Sequence, residues 1–239
     1  MSEQARSTVD PQFNPTAECG SVSHAVETRR SIRVFTDKAV PLQTLKRIMD
    51  QARWAPSGCN LQPWQATILT GEPLLQLQTK LKAAAPQVPV EYDIVPPNLP
   101  ADYTERLREM GAHMYAAQGI ARADEEARRL FAEQNLTSFG APVLLLCHID
   151  RSMGLPQWSD VGMWLQTIML LLREAGLDSC PQEYMALYGK LIKEQIGVDD
   201  SENILFCGMA IGYRQEQVAL NTFSRPRAPL ESQVRFQGF

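Results

Sequence analysis

The 239-residue chain lacks the patterns that mark many large protein classes. Its five cysteines, Cys19, Cys59, Cys147, Cys180 and Cys207, are odd in number and contain no C-x-x-C pair. That argues against a disulfide framework or a zinc knuckle and for a reducing compartment. The three histidines, His24, His113 and His148, have no metal-ligand spacing, so no metal is assigned. The opening Met1-Ser2-Glu3-Gln4 lacks the basic-then-apolar run of a signal peptide. No apolar run has the length of a membrane span, and the expectation is a soluble, cytoplasmic protein. Neither G-x-G-x-x-G nor G-x-x-x-x-G-K-[ST] occurs, which removes the dinucleotide fingerprint and the P-loop. The net charge of −4 supplies no global field for nucleic acid or an anionic membrane, so neither is expected as a partner.

What is present suits one globular domain. Hydrophobic residues make up 44% of the chain, enough for a core, and the length fits one α+β or α/β domain. Residues 1–20 show no period and read as an arm. A short helix is predicted from Val22 to Arg29. Pro41 is pre-set for a helix start, and Leu42, Leu45, Ile48, Met49 and Ala52 then share one helical face. Trp64–Thr70 reads as a strand, and Gly71-Glu72-Pro73 opens another helix. The proline-rich stretch 86–100 is a loop, with helices expected over Asp102–Gln118 and Arg122–Gln134. The apolar run 142–149 reads as a buried strand. Residues 157–175 form a helix apolar nearly all round, which predicts a central position. Ile204–Tyr213 is the last core strand, and Gly208 and Gly212 suggest bulges or close backbone approach. The tail, 221–239, carries Pro229, Leu230, Val234, Phe236 and Phe239, an apolar load expected to pack on a partner subunit.

Four segments carry candidate chemistry. Arg29-Arg30-Ser31-Ile32-Arg33 places three guanidiniums and a hydroxyl within five residues, and Ser224-Arg225-Pro226-Arg227 lies near the other end. Either alone reads as solvated surface. Together they would make a phosphate site without a glycine-rich loop, because bidentate arginines suit a dianion. Ala55-Pro56-Ser57-Gly58-Cys59-Asn60-Leu61-Gln62-Pro63-Trp64 is a polar loop between helix and strand; ordinary turn chemistry is the bland alternative. Cys180-Pro181-Gln182-Glu183-Tyr184 reads as a turn after the long helix.

The order and spacing of these segments resemble the nitroreductase family of flavoproteins, nearest to its nitrobenzoate-reductase-like members. The matching motifs are Arg-Arg-Ser-x-Arg, Ala-Pro-Ser-x-x-Asn-x-Gln-Pro-Trp, the Gly176–Gln182 turn, and Cys207–Tyr213 followed by Arg225–Leu230. The resemblance covers about residues 22–239. It implies an α+β fold in which a central antiparallel sheet is surrounded by helices and two chains interlock as a homodimer. Residues 21–220 would be the FMN-binding domain and 221–239 an extension wrapping the partner. Two FMN molecules would sit at the dimer interface.

Carried over by position, Arg29 and Ser31 would bind the FMN phosphate and ribityl side, with Arg30 adjacent and Arg225 and Arg227 closing on the phosphate. Arg33 would lie near flavin N1 and the C2 carbonyl. Pro56, Ser57, Gly58 and Asn60 would reach the ring or ribityl chain from the partner. Pro181, Gln182 and Glu183 would lie under the ring, with a backbone N–H toward N5, and Asp160 near the ribityl or ring edge. The resemblance implies ping-pong hydride transfer from NADPH or NADH to a small, electron-poor aromatic substrate. No side chain is assigned as a catalytic acid or base, and Cys180 has no base partner marking it as a nucleophile. Substrate choice would lie in residues 84–140, with Tyr92, Tyr103, Arg106, Tyr115 and Phe139 as candidates. Ser138 stands where close relatives often carry a second aromatic. Enone or quinone reduction, reductive dehalogenation and non-catalytic flavin binding remain alternatives.

Overall fold

The computed structural model describes residues 21–239, so the arm expected over residues 1–20 lies outside the described residues. The helices are α1 (Val22–Thr28), α2 (Leu42–Ala52), α3 (Gly71–Ala83), α4 (Ala101–Ala117), α5 (Glu125–Glu133), α6 (Leu155–Glu174), α7 (Gly189–Ile196) and α8 (Ala219–Thr222). The strands are β1 (Trp64–Thr70), β2 (Val143–Asp150), β3 (Asp178–Gln182) and β4 (Asn203–Gly212). Short 3-10 turns cover Gly58–Asn60, Gln134–Gly140, Glu183–Tyr188 and Leu230–Ser232. The sheet runs β1-β2-β4-β3, every pair antiparallel.

The sheet is buried on both faces, and the alternation of side chains divides its residues between two cores. Val143, Leu145, Cys147 and Ile149 of β2, with Cys207, Met209 and Ile211 of β4, pack under α2 and α6. Leu144 and Leu146, with Leu205, pack on the opposite side against Leu74, Leu77 and Leu81 of α3 and Ile192 of α7. An apolar run without alternation is the signature of a strand covered twice. The register slips between Cys147 and His148, so Phe206 is an extra residue in β4. Phe206 therefore packs on the same side as Cys207, as a β-bulge requires. Gly208 and Gly212 mark close approach: an added Cβ would lie 2.9 Å from Met185 Cγ at Gly208 and 2.8 Å from Pro142 Cδ at Gly212.

Two sequence expectations change. Cys180–Gln182 is not a turn but the end of β3. Pro181 signals a turn in the sequence, yet it is tolerated here because β3 is the last strand of the sheet, where a missing N–H breaks no central ladder. The helix over 157–175 lies on the sheet by one face, through Val161, Trp164, Leu165, Ile168 and Leu172. Met163 on its other side is exposed within one chain.

The proline-rich loop is fastened from beneath. Lys193 of α7 is fully buried. Its Nζ donates to Glu91 Oε1 at 2.7 Å and to the Asn203 carbonyl at 2.8 Å, and pairs with Asp200 Oδ1 at 2.7 Å. All three ammonium protons are thus used. Arg151 also pairs with Glu91. Tyr92, the next residue, donates its hydroxyl proton to the Phe206 carbonyl at the bulge. Lys193→Ala should leave two carboxylates short of a partner and cost about 3 kcal/mol. Urea unfolding measures this, and an unchanged midpoint would show that the network contributes no stability.

Candidate flavin site

Residues 29–35 leave α1 as an extended segment that adds to the open edge of β3. Ser31 bridges Ser179 in parallel, Ile32 N–H donates to the Ser179 carbonyl at 3.0 Å, and Phe35 bridges Arg214. Extended backbone alternates its side chains. Arg29, Ser31 and Arg33 are part-exposed, while Arg30 and Ile32 are buried. The period of two, invisible in a bare count of arginines, therefore separates them. Arg30 turns inward and donates to the Phe223 carbonyl at 2.8 Å, a contact that anchors the tail.

Asn221, which the sequence reading places at the start of the tail and gives no role, holds this segment down. Its Oδ1 accepts from Arg33 N–H at 3.0 Å and Val34 N–H at 3.2 Å. Its Nδ2 donates to the carbonyls of Val34 at 2.9 Å and Gln215 at 3.0 Å. A buried amide with all four positions used is a strong local clamp. Nothing in the local sequence distinguishes it from any polar residue in a C-terminal tail.

The clamp brings the second arginine cluster to the first. Arg225 donates to the carbonyls of Arg29 and Glu27. Arg227 lies close enough that, after burial itself, its charge is the next cause lowering the pKa of Arg29. Among the described residues, no ion pair neutralises Arg29, Arg33 or Arg227. The Cys180 thiol lies behind them; burial pushes its pKa up, opposed by Arg33, Arg29 and a hydrogen bond with Ser31. It stays protonated at neutral pH and is a poor nucleophile.

The remaining candidates lie on several different elements. Gln182 is buried, and its Nε2 donates to the carbonyl and Oδ1 of Asn135 at 3.0 and 3.1 Å, so its side chain ties β3 to the 134–140 turn. Glu183 follows at the strand end, its carboxyl held above the usual range by desolvation although the residue keeps an open side. Among the described residues, no hydrogen bond joins the 56–60 loop to Arg29, Arg33 or Arg227. Instead Gly58 N–H donates to both oxygens of Asp160 at 3.2 Å, which fastens the loop to α6. Cys59 and Asn60 in this loop, and Gln62 just after it, have positive φ. Of the substrate candidates, Tyr103 is exposed with Arg106 over its ring, and Tyr115 packs edge-on against Phe131. Tyr92 packs against Trp158, and Phe139 is buried. A cavity lined by Lys80, Ala83, Leu191, Glu194 and Gln195 lies between α3 and α7, apart from the arginine rim.

A flavin enzyme of the nitroreductase type is the class this fold and rim define. The family model for the nitroreductase family matches residues 26–213, and the chain belongs to that family. It is 36% identical over 215 residues to 4-nitrobenzoate reductase from Pseudomonas putida, covering 90% of this chain and 94% of that one. Among solved structures it resembles the FMN and NADPH-dependent nitroreductase NfnB from Sphigopyxis sp. strain HMH. That match has a TM-score of 0.87 and 45% identity, covering 92% of this chain and all of the other. The FMN-dependent NfnB from Mycobacterium smegmatis, solved with NADPH, gives a TM-score of 0.83 at 27% identity, covering 91% of this chain and all of the other.

Asn221→Ala should strand the N–H groups of Arg33 and Val34 and lower stability by about 3 kcal/mol. Amide exchange at residues 31–36 should quicken in the same variant. Wild-type protection there would mean that the segment is held without Asn221.

Proposed function

We propose that this chain is an FMN-dependent NAD(P)H oxidoreductase that reduces nitroaromatic or similar electron-poor small molecules, working as a homodimer in the cytoplasm. The observation that carries the reading is the convergence of Arg29, Ser31 and Arg33 with Arg225 and Arg227 at one sheet edge, with no described carboxylate neutralising Arg29, Arg33 or Arg227. Cations held together against their mutual repulsion suit a phosphate dianion, and guanidinium forks match its oxygens. The relatives' names supply the substrate class and the cofactor.

FMN would supply the two-electron chemistry, taking hydride from the nicotinamide and passing it to the substrate. The protein's part is binding, orientation and charge. Arg29, Ser31, Arg225 and Arg227 would hold the phosphate and ribityl end, and Arg33 would set positive charge beside N1 and the C2 carbonyl. Pro181, Gln182 and Glu183 would floor the ring through backbone, while Arg30 supports the tail from inside. Protons come from solvent, so no side chain is given an acid or base role. Donor and substrate would use one slot in turn, which is a ping-pong order.

The dimer completes the site in this reading. Pro56, Ser57, Gly58 and Asn60 would reach the ring from the second copy, which accounts for their separation from the arginines within one chain. Leu230, Val234, Phe236 and Phe239 are exposed, and the extension 221–239, held to its own chain at Asn221 and Arg225, would bury them by wrapping the partner. No described helix is long and apolar enough to cross a membrane. The four described cysteines are free thiols.

Arg29→Ala and Arg227→Ala should each weaken FMN binding by roughly 10- to 100-fold, the loss of one charge-assisted contact. Quenching of FMN fluorescence on titration measures this, and sedimentation should show an unchanged dimer. Wild-type affinity in both variants would remove the proposed phosphate site.

A further inference from the structure

Phe139 enters the sequence reading as a candidate wall of the substrate slot, but its surroundings are those of a support. The residue is 7% exposed and packs with Ile32, Phe35, Ala141, Cys180 and Ala210, the small core directly behind residues 29–35. Its ring lies 5.9 Å from Arg33 Cζ, within cation–π reach. Arg33 Nη1 also donates a long 3.4 Å hydrogen bond to the Ser31 carbonyl.

The backbone that delivers this ring is unusual. Ser138 and Phe139 both adopt left-handed conformations, φ 53° and ψ 33° for the first and φ 53° and ψ 28° for the second, and Gly140 follows at φ 78°. Two consecutive non-glycine residues in this region are strained, and phenylalanine is a poor choice for it. The strain is not compensated through Ser138, which is fully buried and whose Oγ has no hydrogen-bond partner among the described residues. The turn is held from outside: Gln182 Nε2 binds both oxygens of Asn135 at its start, and Ala141 N–H closes on the Ser138 carbonyl at 3.0 Å. The outcome of all this is the position of one aromatic ring, and that ring lies beside Arg33.

We infer that Phe139 is a positioning residue: the left-handed Ser138–Gly140 turn presents its ring to Arg33 and so fixes the guanidinium at the flavin's pyrimidine edge. The inference rests on the reading above that Arg33 faces FMN. A guanidinium held in place stabilises the electron-rich form of a bound ring more than one free to swing into solvent. The buried ring thus acts on the reaction without touching substrate.

The test is the two-electron reduction potential of the FMN-loaded dimer, measured against a reference dye without oxygen. Phe139→Leu keeps an apolar filler and removes the aromatic face. It should make the potential more negative, by a three- to tenfold change in the redox equilibrium, tenfold being about 30 mV. Phe139→Tyr should restore the wild-type value. Site-specific 3,4,5-trifluorophenylalanine at 139 keeps shape while draining the ring face, should shift the potential the same way, and decides the matter if the leucine variant does not fold. Arg33→Ala should shift it further, and adding Phe139→Leu to it should do nothing more. If Arg33→Ala moves the potential while neither change at 139 does, the inference fails and the reading of Arg33 stands. If Arg33→Ala leaves the potential unchanged, the reading of Arg33 fails and takes the inference with it.

Discussion

The site depends on one constraint, the docking of an extended strip, residues 29–35, onto the free edge of β3. Asn221 supplies four hydrogen bonds to hold it and its neighbourhood, and the carbonyls of Ser179 and Tyr213 receive N–H groups from Ile32 and Thr36. Once the strip is extended, alternation decides everything that follows. Arg29, Ser31 and Arg33 face the rim, while Arg30 and Ile32 face inward to the tail and the core. The same clamp brings residues almost two hundred positions apart into contact, so that Arg225 caps the carbonyl of Arg29. Without it there would be two ordinary basic patches.

The rim is then a charge problem solved by scaffold. Like charges converge because backbone and buried amide bonds hold their stems, and the electrostatic strain remains for a ligand to relieve. Burial and Arg227 together disfavour the charged form of Arg29, a cost that a nearby counter-charge would offset. The thiol of Cys180, protonated and buried behind the arginines, adds no competing negative charge. The opposite end of the sheet solves a different problem. There Lys193, Glu91, Asp200 and Arg151 neutralise one another and lock the proline-rich loop onto the bulge at Phe206. One charge network is closed and structural; the other is left open.

Much of this was legible in the sequence. The apolar run of β2, the Leu45–Ala52 stripe and the loop of residues 86–100 are local signals, and the structure has each of them, although Leu42 at the head of the stripe is exposed. The arginine clusters and the order of motifs pointed to the family, which the chain does belong to. What escaped was set by long-range pairing. Pro181 looks like a turn until a neighbouring strand is known to leave its nitrogen on the edge. Asn221 has no local mark because its four partners lie on two other segments. Phe139 reads as a slot residue because no sequence pattern announces a left-handed turn at Ser138-Phe139. The α6 helix is apolar nearly all round, a pattern that predicts a central position, yet Met163 is left exposed within one chain.

The most direct test of the account is the visible spectrum of the purified protein, recorded without oxygen. A yellow protein should bleach on adding NADPH or NADH and regain its colour when 4-nitrobenzoate is added, through many cycles. That would establish bound flavin, the electron donor and delivery to a nitroaromatic in one cuvette. A colourless protein that takes up no added FMN, or a yellow one that bleaches but is not reoxidised by the nitroaromatic, would contradict the assignment of this chain as a flavin-dependent nitroaromatic reductase.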